Sequence, residues 1–339
     1  MDSTNNNTDK KYHKPLFVIG AVILIGLLVI IFSIMKGTVD FSLIEIGQGI
    51  RQKSNNSLAN QIVHNVRLPR VLTGFLVGMN LAVAGGLLQG VLRNPLASQQ
   101  VIGVNAGSGL FAVAVMILLP SQIHLIPIGA FLGALFATLL VYGLSLTNSR
   151  ASTVHIILAG VAISALLNAM TSALMFLNSD ELEVTYFWLL GTLSGRSWRY
   201  FNILWPYTVL GMGFSLLISP KLNLFALGDE LGSSLGLAVK VYRVIAMILA
   251  SILAGSAVSV TGTIGFVGLI APHLARLLVG SDYRYLTILS ALLGGVLLVL
   301  SDTIARIAFQ PVELSVGIVT SMLGAPFFLF VLYSKNKNL

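Results

Sequence analysis

Cysteine is absent from the 339-residue chain, so it holds no disulfide, thiolate metal site or cysteine nucleophile. Charge is scarce as well: 9% of residues are charged, where a soluble domain carries about 25%. With 56% apolar residues and a mean hydropathy of +0.90, the chain has more apolar surface than one core can hide and requires lipid as its solvent. Nucleotide signatures are missing too. There is no G-x-x-x-x-G-K-[ST] phosphate loop and no Gly-Lys dipeptide, so a standard phosphate cradle is excluded and any ATP is handled by another chain. Neither is there an H-E-x-x-H pattern, and the five histidines (His13, His64, His124, His155 and His273) are scattered. These absences argue against an enzyme. The net charge of +8 comes from 20 basic and 12 acidic residues spread thinly, which gives no nucleic-acid surface.

What the chain does have is long apolar runs. Every backbone polar group in lipid must be satisfied internally, so runs of about 20 residues must be helices. Ten spans are expected, near 16–35, 71–88, 104–119, 128–146, 154–177, 203–218, 244–260, 264–279, 285–300 and 316–333. Residues 1–15 and 334–339 read as polar tails flanking one membrane domain over 16–333. Ten spans put both tails on one side, and Lys10, Lys11, Lys14, Lys335 and Lys337 mark that side as cytoplasmic. The first outer segment, with Lys36, Arg51, Lys53, Arg67 and Arg70 against Asp40 and Glu45, runs against that bias. Two polar stretches interrupt the spans, 178–199 outside and 221–243 inside. All acidic residues, Asp302 included, are expected in connectors or at helix ends, which weighs against a proton-coupled carrier. Sodium coupling at broken helices stays open.

Three local patterns carry chemistry. Arg67-Leu68-Pro69-Arg70 sets two guanidiniums at the outer start of the second span, where they either anchor to lipid phosphates or meet an acidic partner. Gly228-Asp229-Glu230 through Gly236 is a short helix in the cytoplasmic connector, either solvated or offered to a partner. Ile264 to His273 packs glycine, proline and histidine into one span, which predicts a bent or broken helix. His273 reads as a packed residue, and no second ligand lies near it to complete a metal site.

Seven segments together resemble the permeases that import ferric siderophores, haem and cobalamin. They are R-L-P-R-V-L-T-G-F-L-V-G from Arg67, L-L-Q-G-V-L-R-N-P-L-A from Leu87, I-G-V-N-A-G-S-G from Ile102, W-L-L-G-T-L-S-G from Trp188, G-T-I-G-F-V-G-L-I-A-P-H-L-A-R from Gly262, S-D-T-I-A-R from Ser301, and E-L-S-V-G-I-V-T-S-M-L-G-A-P-F-F from Glu313. The resemblance covers roughly residues 60–333. It implies an all-α fold of about ten transmembrane helices in a bacterial plasma membrane, with no cofactor on this chain. It further implies a second permease subunit, identical or related, a cytoplasmic ATPase dimer that holds ATP and magnesium, and an external substrate-binding protein. By the same resemblance, Arg67, Arg70 and Arg306 would dock the binding protein, Gly228, Asp229, Glu230 and Gly236 would couple the ATPase, and Asn94, Leu96 and Thr153 would gate the pathway. A ferric siderophore is the expected cargo. Haem, cobalamin and an ion-coupled carrier are the alternatives.

Overall fold

The structure, a computed structural model, describes residues 5–37, 42, 61–147, 150–151, 153–178, 180 and 182–336. Within them lie twelve α-helices: α1 (Asn5–Met35), α2 (Leu68–Val91), α3 (Val104–Leu118), α4 (Ile126–Ser145), α5 (Thr153–Leu177), α6 (Leu182–Leu189), α7 (Trp198–Phe225), α8 (Asp229–Ser234), α9 (Val239–Thr261), α10 (Val267–Val279), α11 (Tyr283–Ile307) and α12 (Val316–Asn336). A π-helical turn over Val63–Arg67 leads into α2, and a 3-10 turn over Pro120–Leu125 leads into α4. Prolines open both helices, where their missing N–H would find no intrahelical partner anyway. Two residue pairs, Leu146–Thr147 and Arg150–Ala151, form a minimal antiparallel ladder between α4 and α5.

Each expected span falls on one helix, while α6 and α8 occupy the two polar stretches. Seven helices are long and apolar enough to cross a bilayer, and α3, α10 and the 316–331 part of α12 are shorter apolar helices. Burial separates centre from rim. The spans built on α2, α9 and α11 are 78%, 78% and 67% buried, whereas those on α1, α5 and α7 are 22% buried. The bundle therefore forms around α2, and α5 keeps most of its surface uncovered.

Hydrophobicity does not drive helices together in lipid, so close approach of small residues must do so. On α2, a Cβ at Gly78 would overlap the Gly294 carbonyl of α11, and one at Gly85 would overlap the Gly268 carbonyl of α10. Two contacts about two turns apart thus pin α2 to both neighbours.

The expected break falls at 262–266, between α9 and α10, while Pro272 lies inside α10. Protein groups satisfy the freed backbone there. Gln99 Nε2 donates to the Ile264 carbonyl at 3.4 Å and Gln89 Nε2 to that of Gly268 at 3.3 Å, and the Thr192 N–H donates to the Thr261 carbonyl at 2.8 Å.

One boundary differs in a way that matters. The ninth span continues to Ile307 rather than stopping near residue 300, so Asp302 is inside a helix and 2% exposed, not at a helix end. Its neutralising partners explain how the helix continues through it.

Candidate functional site

At one end of the bundle, α1 finishes, α2 begins and α11 finishes. Arg70, in the first turn of α2, donates Nε and Nη2 to the Asp302 carboxylate at 2.9–3.2 Å and Nη1 to Glu313 at 2.9 Å. Arg306, one turn beyond Asp302 on α11, sets its Nε 3.2 Å from Oδ2. Arg67 Nη1 donates to the Ile34 and Met35 carbonyls at 2.7 and 3.0 Å, and Arg306 donates to those of Ser33 and Lys36 at 2.9 and 3.0 Å. These are carbonyls that the end of α1 leaves without helical partners. Arg67, Arg70 and Arg306 are 5%, 6% and 4% exposed. The sequence reading set them out at the surface, but the structure gives them internal partners and buries them. Together with Gly37, Ile62, Val66 and Glu313 they line a cavity of about 90 Å³. Among the described residues, three guanidiniums and two carboxylates meet here. Arg196, in the loop before α7, adds a further cation. Burial draws its guanidinium below the ordinary value and the like charge of Arg70 acts in the same sense, while Tyr200, whose ring centroid is 4.7 Å away, opposes them.

The opposite end joins the end of α2 to α8 and the start of α9. Gly228 turns the chain with φ of 101°, and Asp229 opens α8 with its carboxylate accepting from Arg243 Nη2 at 2.8 and 3.0 Å. Arg93 Nη2 is 3.7 Å from the same carboxylate. Asp229 thus fastens α8 inward, while Glu230 is exposed. Leu227, Leu231 and Leu235, spaced four apart, are 51%, 61% and 62% exposed and give the connector an apolar ridge. Gly236 turns away with φ of 83°.

Between the ends lies a cavity of about 560 Å³, lined by Gln100, Asn105, Ser164, Asn168, Thr171, Ser172 and Thr263 among others. Asn105 Oδ1 and Ser164 Oγ have no hydrogen-bond partner among the described residues. Ser164, Asn168, Thr171 and Ser172 recur at helical spacing, so they fall on one face of α5. A cleft of similar size, about 570 Å³, lies between α4, α7 and α9 behind Ile123, Ile128, Phe131, Leu132 and Ile203. Its lining also includes His124, Arg199, Tyr200, Tyr207, Ser256 and Ser259, whereas the cavity beside α5 has, among the described residues, no charged side chain in its lining and follows one face of α5.

The model of the FecCD transport family matches residues 23–334 of the chain. The chain belongs to the FecCD transport family. The chain is 41% identical over 278 residues to the Fe(3+)-citrate import system permease protein YfmD of Bacillus subtilis (strain 168), covering 82% of this chain and 83% of that protein. To YfmE of the same organism, an Fe(3+)-citrate import system permease protein, it is 36% identical over 336 residues, covering 96% and 97%. A solved structure described as an inward-facing conformation of a metal-chelate type ABC transporter aligns with a TM-score of 0.84 at 28% identity, covering 94% of this chain and 99% of that one. This FecCD-family permease is a multi-pass transport subunit of an ATP-binding-cassette system with partner permease and ATPase chains, and ATP is hydrolysed on the separate ATPase.

In this FecCD-family permease, the expected gate residues Asn94, Leu96 and Thr153 do not line the polar cavity. Asn94 Oδ1 accepts the Leu96 N–H at 2.9 Å in the turn after α2, and Leu96 is 43% exposed. Thr153 opens α5, and Gly160, two turns on, seats α5 against the Val101 carbonyl so closely that a Cβ would overlap it. Gly232-Ser233-Ser234-Leu235-Gly236 has the G-x-S-x-G spacing of a nucleophile elbow, yet Ser234 ends α8 and its Oγ donates to the Glu230 carbonyl, with no strand leading into it. The basic outer segment around Arg51 and Lys53 lies outside the described residues.

Proposed function

We propose that the chain is the membrane permease of a bacterial importer that moves a ferric siderophore, delivered by an external binding protein, into the cytoplasm. The observation that carries this reading is the polar cavity beside α5, set between two charged clusters at opposite ends of the bundle. Iron-chelate permeases among the relatives support the cargo class. A haem or cobalamin cargo is the second reading, supported by the cobalamin import permease BtuC of Halobacterium salinarum at 41% identity.

The cluster of Arg67, Arg70 and Arg306 faces outward, and a partner carboxylate enters its small cavity, where charge-assisted bonds are strong. A second permease subunit, identical or related, covers the bare face of α5 and completes the pathway, which Asn94, Leu96 and Thr153 gate. Both termini lie on the cytoplasmic side, in the plasma membrane. There the leucine ridge of the connector, with Gly228, Glu230 and Gly236, seats in the ATPase dimer, while Asp229 holds the ridge to α2 and α9. ATP binding to the partner closes the ATPases on this ridge and favours one of the two permease conformations, as any ligand that binds one state better must do.

Energy-dependent uptake of labelled ferric hydroxamates, ferric catecholates, ferric citrate, haem and cobalamin, in cells lacking the chain and in complemented cells, tests the reading. Restored uptake of a ferric siderophore supports it. Restored haem or cobalamin uptake alone selects the second reading. Absence of all uptake, with the chain and its ATPase verified in the membrane, refutes both.

A further inference from the structure

The cavity beside α5 is polar without being charged. Its lining, among the described residues, is made of amides, hydroxyls and apolar groups: Asn105, Ser164, Asn168, Thr171 and Ser172 supply donors and acceptors, and no Asp, Glu, Lys, Arg or His contributes. Two of those oxygens, Asn105 Oδ1 and Ser164 Oγ, have no hydrogen-bond partner among the described residues. The described ionisable side chains between α5 and the middle of α6, Asp180 and Glu183, are both acidic and exposed.

An ion entering such a space loses water and gains no counter-charge, a cost that only pairing or metal coordination offsets. The N-terminus of α3, which carries Asn105, lies beside the cavity, and its dipole favours anions, but a helix end offsets only a fraction of an ion's desolvation. Neutral solutes with many polar groups meet no such penalty, because amides and hydroxyls replace their hydration bond for bond.

We infer that this pathway selects electrically neutral, hydrogen-bonding ferric chelates of the trihydroxamate class over anionic ones. Three singly charged hydroxamates cancel the ferric charge, whereas three doubly charged catecholates leave a trianion, and ferric citrate complexes are anionic too. The inference rests on the importer reading above.

Asn168 and Ser172 are exposed to the cavity, so a new charge at either is tolerated by the fold. The test compares uptake of a labelled ferric trihydroxamate, a ferric tricatecholate and ferric citrate by wild type, Asn168→Lys, Ser172→Lys and Asn168→Asp, with the binding protein and ATPase held constant. Delivery is then the same for all four, and changes in the ratio of anionic to neutral uptake report on the cavity alone. Wild type should favour the trihydroxamate. Each lysine should raise the anion-to-neutral ratio about tenfold, equivalent to roughly 1.4 kcal/mol, and the aspartate should lower it. Wild-type uptake of either anion at the rate of the trihydroxamate, or ratios unmoved by all three variants, would overturn the charge rule while leaving the importer in place. Wild-type failure to carry any ferric chelate would remove the importer reading itself.

Discussion

Asp302 is the residue whose loss should cost the fold most for the smallest change in shape. Its carboxylate takes contacts from Arg70 at 2.9, 3.1 and 3.2 Å and from Arg306 at 3.2 Å, and its side chain is 3% exposed. Asp302→Asn keeps the volume and one acceptor but removes the charge that two buried guanidiniums share. Breaking a buried pair from one side costs about 3–5 kcal/mol, because the surviving charge is left uncompensated. Arg70 would keep Glu313, and Arg306 would keep the Ser33 and Lys36 carbonyls, so the lower end, about 3 kcal/mol, is expected. Equilibrium unfolding in mixed micelles measures it. Arg70→Met alone should also destabilise, and Arg70→Met with Asp302→Leu should cost less than Arg70→Met and Asp302→Leu summed, since the pair's own two charges are then removed together and only Arg306 and Glu313 each lose a partner. A loss below about 0.5 kcal/mol for Asp302→Asn, or strict additivity in the double variant, would refute the view that this network is a mutually dependent unit.

Other perturbations follow from the same geometry. Gly78→Leu should prevent α2 from reaching α11, and limited proteolysis of membranes should find the chain cleaved where wild type resists; equal resistance would remove that contact from the packing argument. Leu231→Asp with Leu235→Asp should abolish co-purification of the ATPase while leaving membrane insertion intact, and retained ATPase would show that the ridge is not the coupling face. Arg67→Gln, whose amide can still donate to the Ile34 and Met35 carbonyls, should leave membrane insertion intact yet weaken binding-protein capture about tenfold in a pull-down, the scale of one charge-assisted bond. Unchanged capture would place docking elsewhere.

The helices under the ten expected spans, seven of them long and apolar enough to cross a bilayer, were legible because lipid leaves the backbone one solution, and long apolar runs announce it. Span ends were less so. Asp302 and Arg306 read as the polar cap of the ninth helix, when they neutralise each other and Arg70 inside it. Pairing between residues 232 positions apart leaves no trace in local hydropathy. Arg67, Arg70 and Arg306 were picked out by their motifs, but their burial was not legible, since exposure depends on how α1 ends beside them. Asp229 was taken as a contact for the ATPase, and its internal partner Arg243, which leaves its side chain 42% exposed, could not be read from local sequence. The leucines at four-residue spacing around it, and the polar stripe on α5, were readable periodicities that the apolar background of the chain concealed.

Glycine contacts on α2 carry a mechanical implication. With Gly78 locked against α11 and Gly85 against α10, α2 has no room to bend or shear at its middle, and it spans about 36 Å as one rod. Arg70 stands at its head, and Arg93, beside Asp229, follows its foot. A displacement imposed on either tip is thus delivered to the other face of the membrane with little slack.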